Sequence, residues 1–81
     1  MQNPWIFKHL VKWMEAKHYP AESIQAFGNC WQLLASGDSL PCPACFMNDD
    51  EQHLVKLKVH GEIEPLFCAN CNTEFDIPIP A

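Results

Sequence analysis

The 81-residue chain contains no arginine. Arginine is the side chain best shaped for two-pronged contact with phosphate or guanine, so its absence, beside a net charge of −5, argues against a nucleic-acid-binding protein. No apolar run approaches the length of a membrane-spanning helix, because Lys, Glu, Asn or Pro interrupts each one; no membrane role is expected. The opening Met1-Gln2-Asn3-Pro4-Trp5 lacks the basic start, apolar run and small-residue cleavage site of a secretory signal. A cytoplasmic protein with reduced thiols is therefore expected. There is no phosphate loop, no carboxylate pair, and no Ser or Cys matched by motif with a His for nucleophilic attack, so an enzyme is not expected. Repeats and low-complexity tracts are also missing. A chain this short has room for one small domain, or for two subdomains that lean on each other, around a thin core.

What the chain does have is cysteine, five of them. Four form two Cys-x-x-Cys pairs, Cys42-Pro43-Ala44-Cys45 and Cys68-Ala69-Asn70-Cys71, separated by 22 residues that read as a β-hairpin. Zinc takes four thiolates tetrahedrally, and each such turn can supply two ligands on one side of the ion. Cys42, Cys45, Cys68 and Cys71 are thus the expected ligands of one Zn2+. Four protein ligands leave no open position for water or substrate, which makes the site structural. Metal binding also contributes folding energy where apolar burial is scarce. Disulfides would need an oxidising compartment and would leave one cysteine over, and a thioredoxin-like motif would need a single pair between a strand and a helix. Cys30 falls on the apolar flank of a helix, where a cysteine acts as a small hydrophobe, and it is left out of the site.

Charge divides unevenly. Residues 1–37 carry three lysines against two glutamates, a balance of +1, whereas residues 38–81 carry two lysines against eight carboxylates, a balance of −6. Four thiolates around a divalent ion add a further −2 to that second half, which would repel phosphates.

The first part reads as two helices. Asn3 suits an N-cap and Pro4 the first helical position. On a helical wheel Ile6, Phe7, Leu10, Val11, Trp13 and Met14 gather on one side, and Lys8, His9, Lys12 and Glu15 on the other. His18-Tyr19-Pro20 makes a corner. A second helix follows with Ile24, Phe27, Trp31 and Leu34 as its apolar stripe, Ser36 on its polar side and Gly37 as its stop. Gly28, at the edge of the stripe, allows close helix approach or merely weakens the helix.

In the second part, His53 to His60 alternates, with Val55, Leu57 and Val59 pointing one way and Lys56, Lys58 and His60 outward. Gly61-Glu62 forms a turn, and Leu66-Phe67 brings a strand back to the second cysteine pair. A third strand carries Phe75, Ile77 and Ile79 on one face. The missing donors of Pro78 and Pro80 fall on one edge, which makes it an edge strand closed to further pairing. The acidic stretch Asn48-Asp49-Asp50-Glu51 reads as a solvated loop, since it lacks the ligand spacing of a calcium site.

Two cysteine knuckles on a three-stranded antiparallel sheet resemble the zinc ribbon class, over roughly residues 40–80. The resemblance implies the ribbon fold and the metal; the class itself spans nucleic-acid binders, protein adaptors and structural modules. Ribbon knuckles often carry Gly directly after the second cysteine, where this chain has Phe46 and Asn72. Asn accepts positive φ and Phe does not, so the first knuckle is expected to depart from the pattern.

The expected fold class is α+β: an antiparallel helical hairpin over 1–37 packed with a three-stranded antiparallel zinc ribbon over 38–81, as one compact unit. The expected function is a small non-enzymatic zinc-binding protein acting as a protein-interaction or regulatory module, the alternative being a nucleic-acid-binding ribbon. All four histidines read as surface residues. On the wheel Trp5 falls among Lys8, His9 and Lys12, and large aromatics are enriched at interface centres, so these four form the candidate surface for a protein partner.

Overall fold

The first helix, α1 (Pro4–Ala16), begins on a proline whose missing N–H would have had no intrahelical partner. The computed structural model describes residues 3–35 and 37–80. Asn3 occupies the N-cap position, but its side chain makes no capping bond. Its backbone is left-handed at φ 47°, and its carbonyl takes the Ile6 and Phe7 N–H groups at 3.0 and 3.2 Å. Ile6, Leu10 and Met14, each four residues from the next, are fully buried. Each contributes about 1.5–3 kcal/mol by leaving water. Phe7 and Trp13 flank that stripe, partly buried against the core.

The corner after α1 is built by His18 at φ 60°. Its N–H reaches Glu15 O at 3.0 Å, and the Tyr19 N–H reaches Met14 O at 3.2 Å. This bond pair is the Schellman stop, with histidine in the left-handed position usually given to glycine. The apolar contact that accompanies such a stop is the edge-on packing of Tyr19 against Trp13, 5.8 Å between rings. Pro20 then leads into α2 (Ala21–Gln32).

Phe27 and Trp31 are the fully buried residues of α2. Gly28 faces α1 closely: a Cβ there would lie 3.3 Å from the Phe7 ring, which stacks on Phe27 and packs at a tilt against Trp31. The close-approach role of that glycine is therefore the one the fold uses. The helix ends at Gln32, short of the expected Gly37. The Leu33 and Leu34 N–H groups tighten onto the carbonyls three residues back. The Ala35 N–H is taken by the Asp38 carboxylate at 2.7 Å, a side chain competing with the helix ladder. Gly37, at φ 92°, belongs to the following turn, and Ser36 lies outside the described residues.

The sheet consists of β1 (Val55–Lys56), β2 (Ile63–Cys68) and β3 (Thr73–Pro78), antiparallel in the order β1-β2-β3. The β1 strand is far shorter than the expected 53–60 stretch. Val55 faces Phe67 and Lys56 faces Leu66, so Leu57 would come next against Pro65. That pair should exchange two bonds. The Leu57 N–H reaches Pro65 O at 3.0 Å, but proline has no N–H to return, and the ladder stops. A bridge between His60 and Ile63 closes the turn one residue out of step with the Val55–Phe67 register, so the alternation is broken between Leu57 and His60.

Along β2 and β3, Ile79 N–H to Glu62 O at 2.7 Å identifies the bonded rows. Counting from it, Pro65 with Asp76 and Ile63 with Pro78 fall in non-bonded rows, where a missing donor costs the ladder nothing. The Pro78 and Pro80 nitrogens thus face the open side of β3, as expected for a closed edge.

The helices cover one face of this sheet through α1, whose Trp13 meets Phe75 edge-on at 5.1 Å. Phe75 pairs with Leu66, and Leu66 with Lys56, so Lys56 is on the helix side. This inverts the expected orientation. Val55 and Leu57 point away from the helices, and the Lys56 ammonium lies 3.7 Å from the Glu64 carboxylate on the neighbouring strand β2.

Candidate metal centre

The first cysteine pair lies on one turn of helix, α3 (Pro43–Phe46), entered through Cys42. Pro43 occupies the first position, where its ring suits the helical φ. The chain on either side of the knuckle is clamped together. The Cys42 N–H reaches Gln52 O at 3.0 Å, the Leu54 N–H reaches Leu40 O at 2.7 Å, and Pro41 bridges His53. Beyond Cys45 the helical turn continues, so Phe46 never needs positive φ. The left-handed residue comes three positions later, at Asp49 with φ 56°. The departure expected from the ribbon pattern thus has a cause in packing: Phe46 sits edge-on to Phe27 at 5.4 Å and ties the knuckle to α2. In the second knuckle Asn72 takes φ 57° directly after Cys71, as the pattern requires.

Cys68, the last residue of β2, and Cys71, in the turn to β3, face the first pair. Cys42 and Cys71 sulfurs are 3.7 Å apart, Cys45 and Cys68 sulfurs 3.6 Å, and all four lie within 4.8 Å of one another. A tetrahedron of thiolates about 2.3 Å from a zinc-sized ion has edges of about 3.8 Å. Disulfide sulfurs would lie ~2.05 Å apart; the five cysteines form no disulfide. The four are therefore positioned to bind a metal ion. Among the described residues Cys30 and the histidines stand outside this group. Cys30 is half-buried beside Cys42, Phe46 and His53, His9 is half-buried, and His18, His53 and His60 are exposed.

No family model, curated protein or solved structure matches the chain.

Burial raises the thiol pKa of Cys42 well above its ordinary value, against the opposing effect of a backbone bond within the knuckle. Cys45 is also raised by burial, partly countered by Asn70. At Cys71 burial pushes up, but the Thr73 hydroxyl and backbone, helped by the neighbouring sulfurs, bring the thiol down to about 7. Buried sulfurs so close together cannot all ionise unaided, whereas a divalent cation among them supplies the missing charge.

Two polar residues, Asn70 and Thr73, contact the sulfurs, with Asp50 and Gln52 behind Asn70, and the cysteine spacing did not reveal their role. The Asn70 amide lies 3.4 Å from Cys45 Sγ and 3.1 Å from an Asp50 carboxylate oxygen, while Gln52 donates to the other oxygen at 3.0 Å. Asp50, expected in a solvated loop, instead orients Asn70. Thr73 Oγ1 sits 3.2 Å from Cys71 Sγ, where its hydroxyl can donate to a thiolate. The available signal was position, with Asn70 inside the second knuckle and Thr73 two residues beyond it.

Trp5 and its neighbours were expected to form a surface on α1. Lys8 and Lys12 are exposed, but Trp5 is half-buried against the core, with its indole N–H enclosed and without a partner among the described residues. No helix among the described residues is long and apolar enough to cross a membrane.

Proposed function

We propose that Cys42, Cys45, Cys68 and Cys71 hold one structural Zn2+, and that the chain is a non-enzymatic, zinc-stapled protein-interaction module. The observation that carries this reading is the sulfur cluster: two of its separations, 3.7 and 3.6 Å, match the edge expected around a zinc-sized ion, all four sulfurs lie within 4.8 Å of one another, and four protein ligands would close the coordination sphere. The centre lies between α3 and the β2–β3 turn, where a bound ion joins segments distant in sequence. A thin core gains most from such a link. An interaction role fits a small acidic domain whose metal has no position for substrate. On α1 the two exposed lysines have no exposed large apolar anchor beside them among the described residues, since Trp5 is drawn into packing. That side offers charge for an acidic partner but little to hold it.

Elemental analysis of the purified chain, combined with alkylation of free thiols after denaturation, tests the metal assignment. One zinc per chain and five alkylated cysteines are expected. Metal-free protein carrying two disulfides would refute it.

A further inference from the structure

The sheet register places an apolar platform on the side of the ribbon turned away from the helices. Residues paired across an antiparallel sheet share a face, and residues two apart along a strand share it as well. Val55 pairs with Phe67, and Phe67 lies two and four residues from Pro65 and Ile63. Val55 is 54% exposed and Leu57 39% exposed, while Ile63 and Phe67 are half-buried. None of these four packs against the core. Pro65 alone is buried on this face, at its centre, so the side chains around it form one continuous surface rather than scattered exposed residues. Contiguous apolar surface on a small acidic protein marks an interaction site far better than single exposed leucines do.

The same register supplies the border. Glu74 pairs with Phe67 and Asp76 with Pro65, which sets two exposed carboxylates along the β3 side of the platform. Pro78 and Pro80 remove two of the donors on the open edge of β3, which disfavours strand addition there and leaves the face as the larger surface for an occupant. A second copy of the chain would bring its own Glu74 and Asp76 and a net charge of −5 against the first. Nucleic acid or an anionic membrane would meet the same repulsion. Opposite charge with apolar anchors is what the face complements.

We propose that Val55, Leu57, Ile63 and Phe67 form a docking platform for a basic amphipathic segment of a partner protein, with Glu74 and Asp76 receiving its lysine or arginine side chains. The proposal rests on the interaction-module reading and names the surface and partner chemistry for it.

The test uses the full zinc-loaded chain and a synthetic helical peptide with a leucine stripe flanked on one side by lysines, beside versions with the lysines changed to glutamate or the sequence scrambled. Amide shifts on titration should concentrate at residues 55–57, 63–67 and 74–76, and binding should weaken with salt. Glu74→Lys/Asp76→Lys and, separately, Leu57→Asp should each weaken binding by about tenfold with zinc content unchanged. Equal binding of the glutamate or scrambled peptide, or no binding of any, overturns the proposal. So does a concentration-dependent dimer in sedimentation that Leu57→Asp dissolves, which would assign the face to a second copy. A footprint around Lys8 and Lys12 instead would overturn this face while leaving the interaction-module reading standing.

Discussion

Trp13→Ala should loosen the helices and the metal centre together. Trp13 joins the two halves of the chain: its ring meets Phe75 of β3 edge-on at 5.1 Å and Tyr19 at 5.8 Å, with the Lys17 ammonium 5.6 Å from its centroid. Removing a fully buried tryptophan costs about 3–5 kcal/mol. Trp13 is only partly buried, which lowers the transfer contribution, but it loses two aromatic contacts of about 0.5–1.5 kcal/mol each. A cost of about 2–3 kcal/mol follows, a factor of roughly 30 to 150 in the folding constant. Urea unfolding of the cobalt-substituted protein offers two simultaneous probes, far-ultraviolet circular dichroism for the helices and thiolate-to-metal charge-transfer absorbance for the centre. Both midpoints should fall by the same amount with the slope unchanged, because a single cooperative unit loses its helices and its metal geometry at once. A double-mutant cycle with Phe75→Leu should show a coupling of about 0.5–1.5 kcal/mol. If the absorbance transition stays in place while the helical signal moves, the halves fold independently and the reasoning fails.

On the proposed zinc assignment, which couples metal binding to ribbon folding, Cys45→Ser should weaken metal binding by more than about a hundredfold and abolish ribbon amide dispersion; Cys30→Ser should keep one metal per chain by elemental analysis. Thr73→Val removes the hydroxyl that favours the Cys71 thiolate. Protons then compete better with the metal at that sulfur, so release on acidification should begin at higher pH, with affinity lower by about 10- to 100-fold, and an unshifted release curve would refute the role. Pro65→Val restores the donor that β1 lacks. Hydrogen exchange should show a protected amide at position 65 bonded to Leu57 O, with little net change in stability because the unfolded chain gains freedom, and rapid exchange there would contradict the register.

Short-range information made the metal centre and helices legible in the sequence. Each Cys-x-x-Cys turn brings its own two sulfurs together, whatever the remainder of the chain does, so the four candidate ligands follow from spacing. Likewise Ile6, Leu10 and Met14 share a helix face by periodicity alone, and Pro78 with Pro80 closes an edge by parity. The end of α2 was harder to see, because it depends on an Asp38 carboxylate reaching back to the Ala35 N–H rather than on Gly37.

The alternation from Val55 to Val59 shows how far sequence pattern reaches. Period two separates two faces of a strand without saying which is covered, and turning the lysine face of this stretch outward is an expectation from residue type alone. In the fold the helices dock on the opposite side, where Leu66, Phe75 and Ile77 supply the core, and Val55 and Leu57 are left facing solvent. Phe46 replaces the usual knuckle glycine because Phe27, nineteen positions earlier, waits to pack on it. Ligand spacing, helix stripes and proline parity are local properties of the chain and could be read from sequence alone. The direction each surface faces was decided only when α1 settled on the sheet, because burial depends on contacts between segments that no local pattern contains.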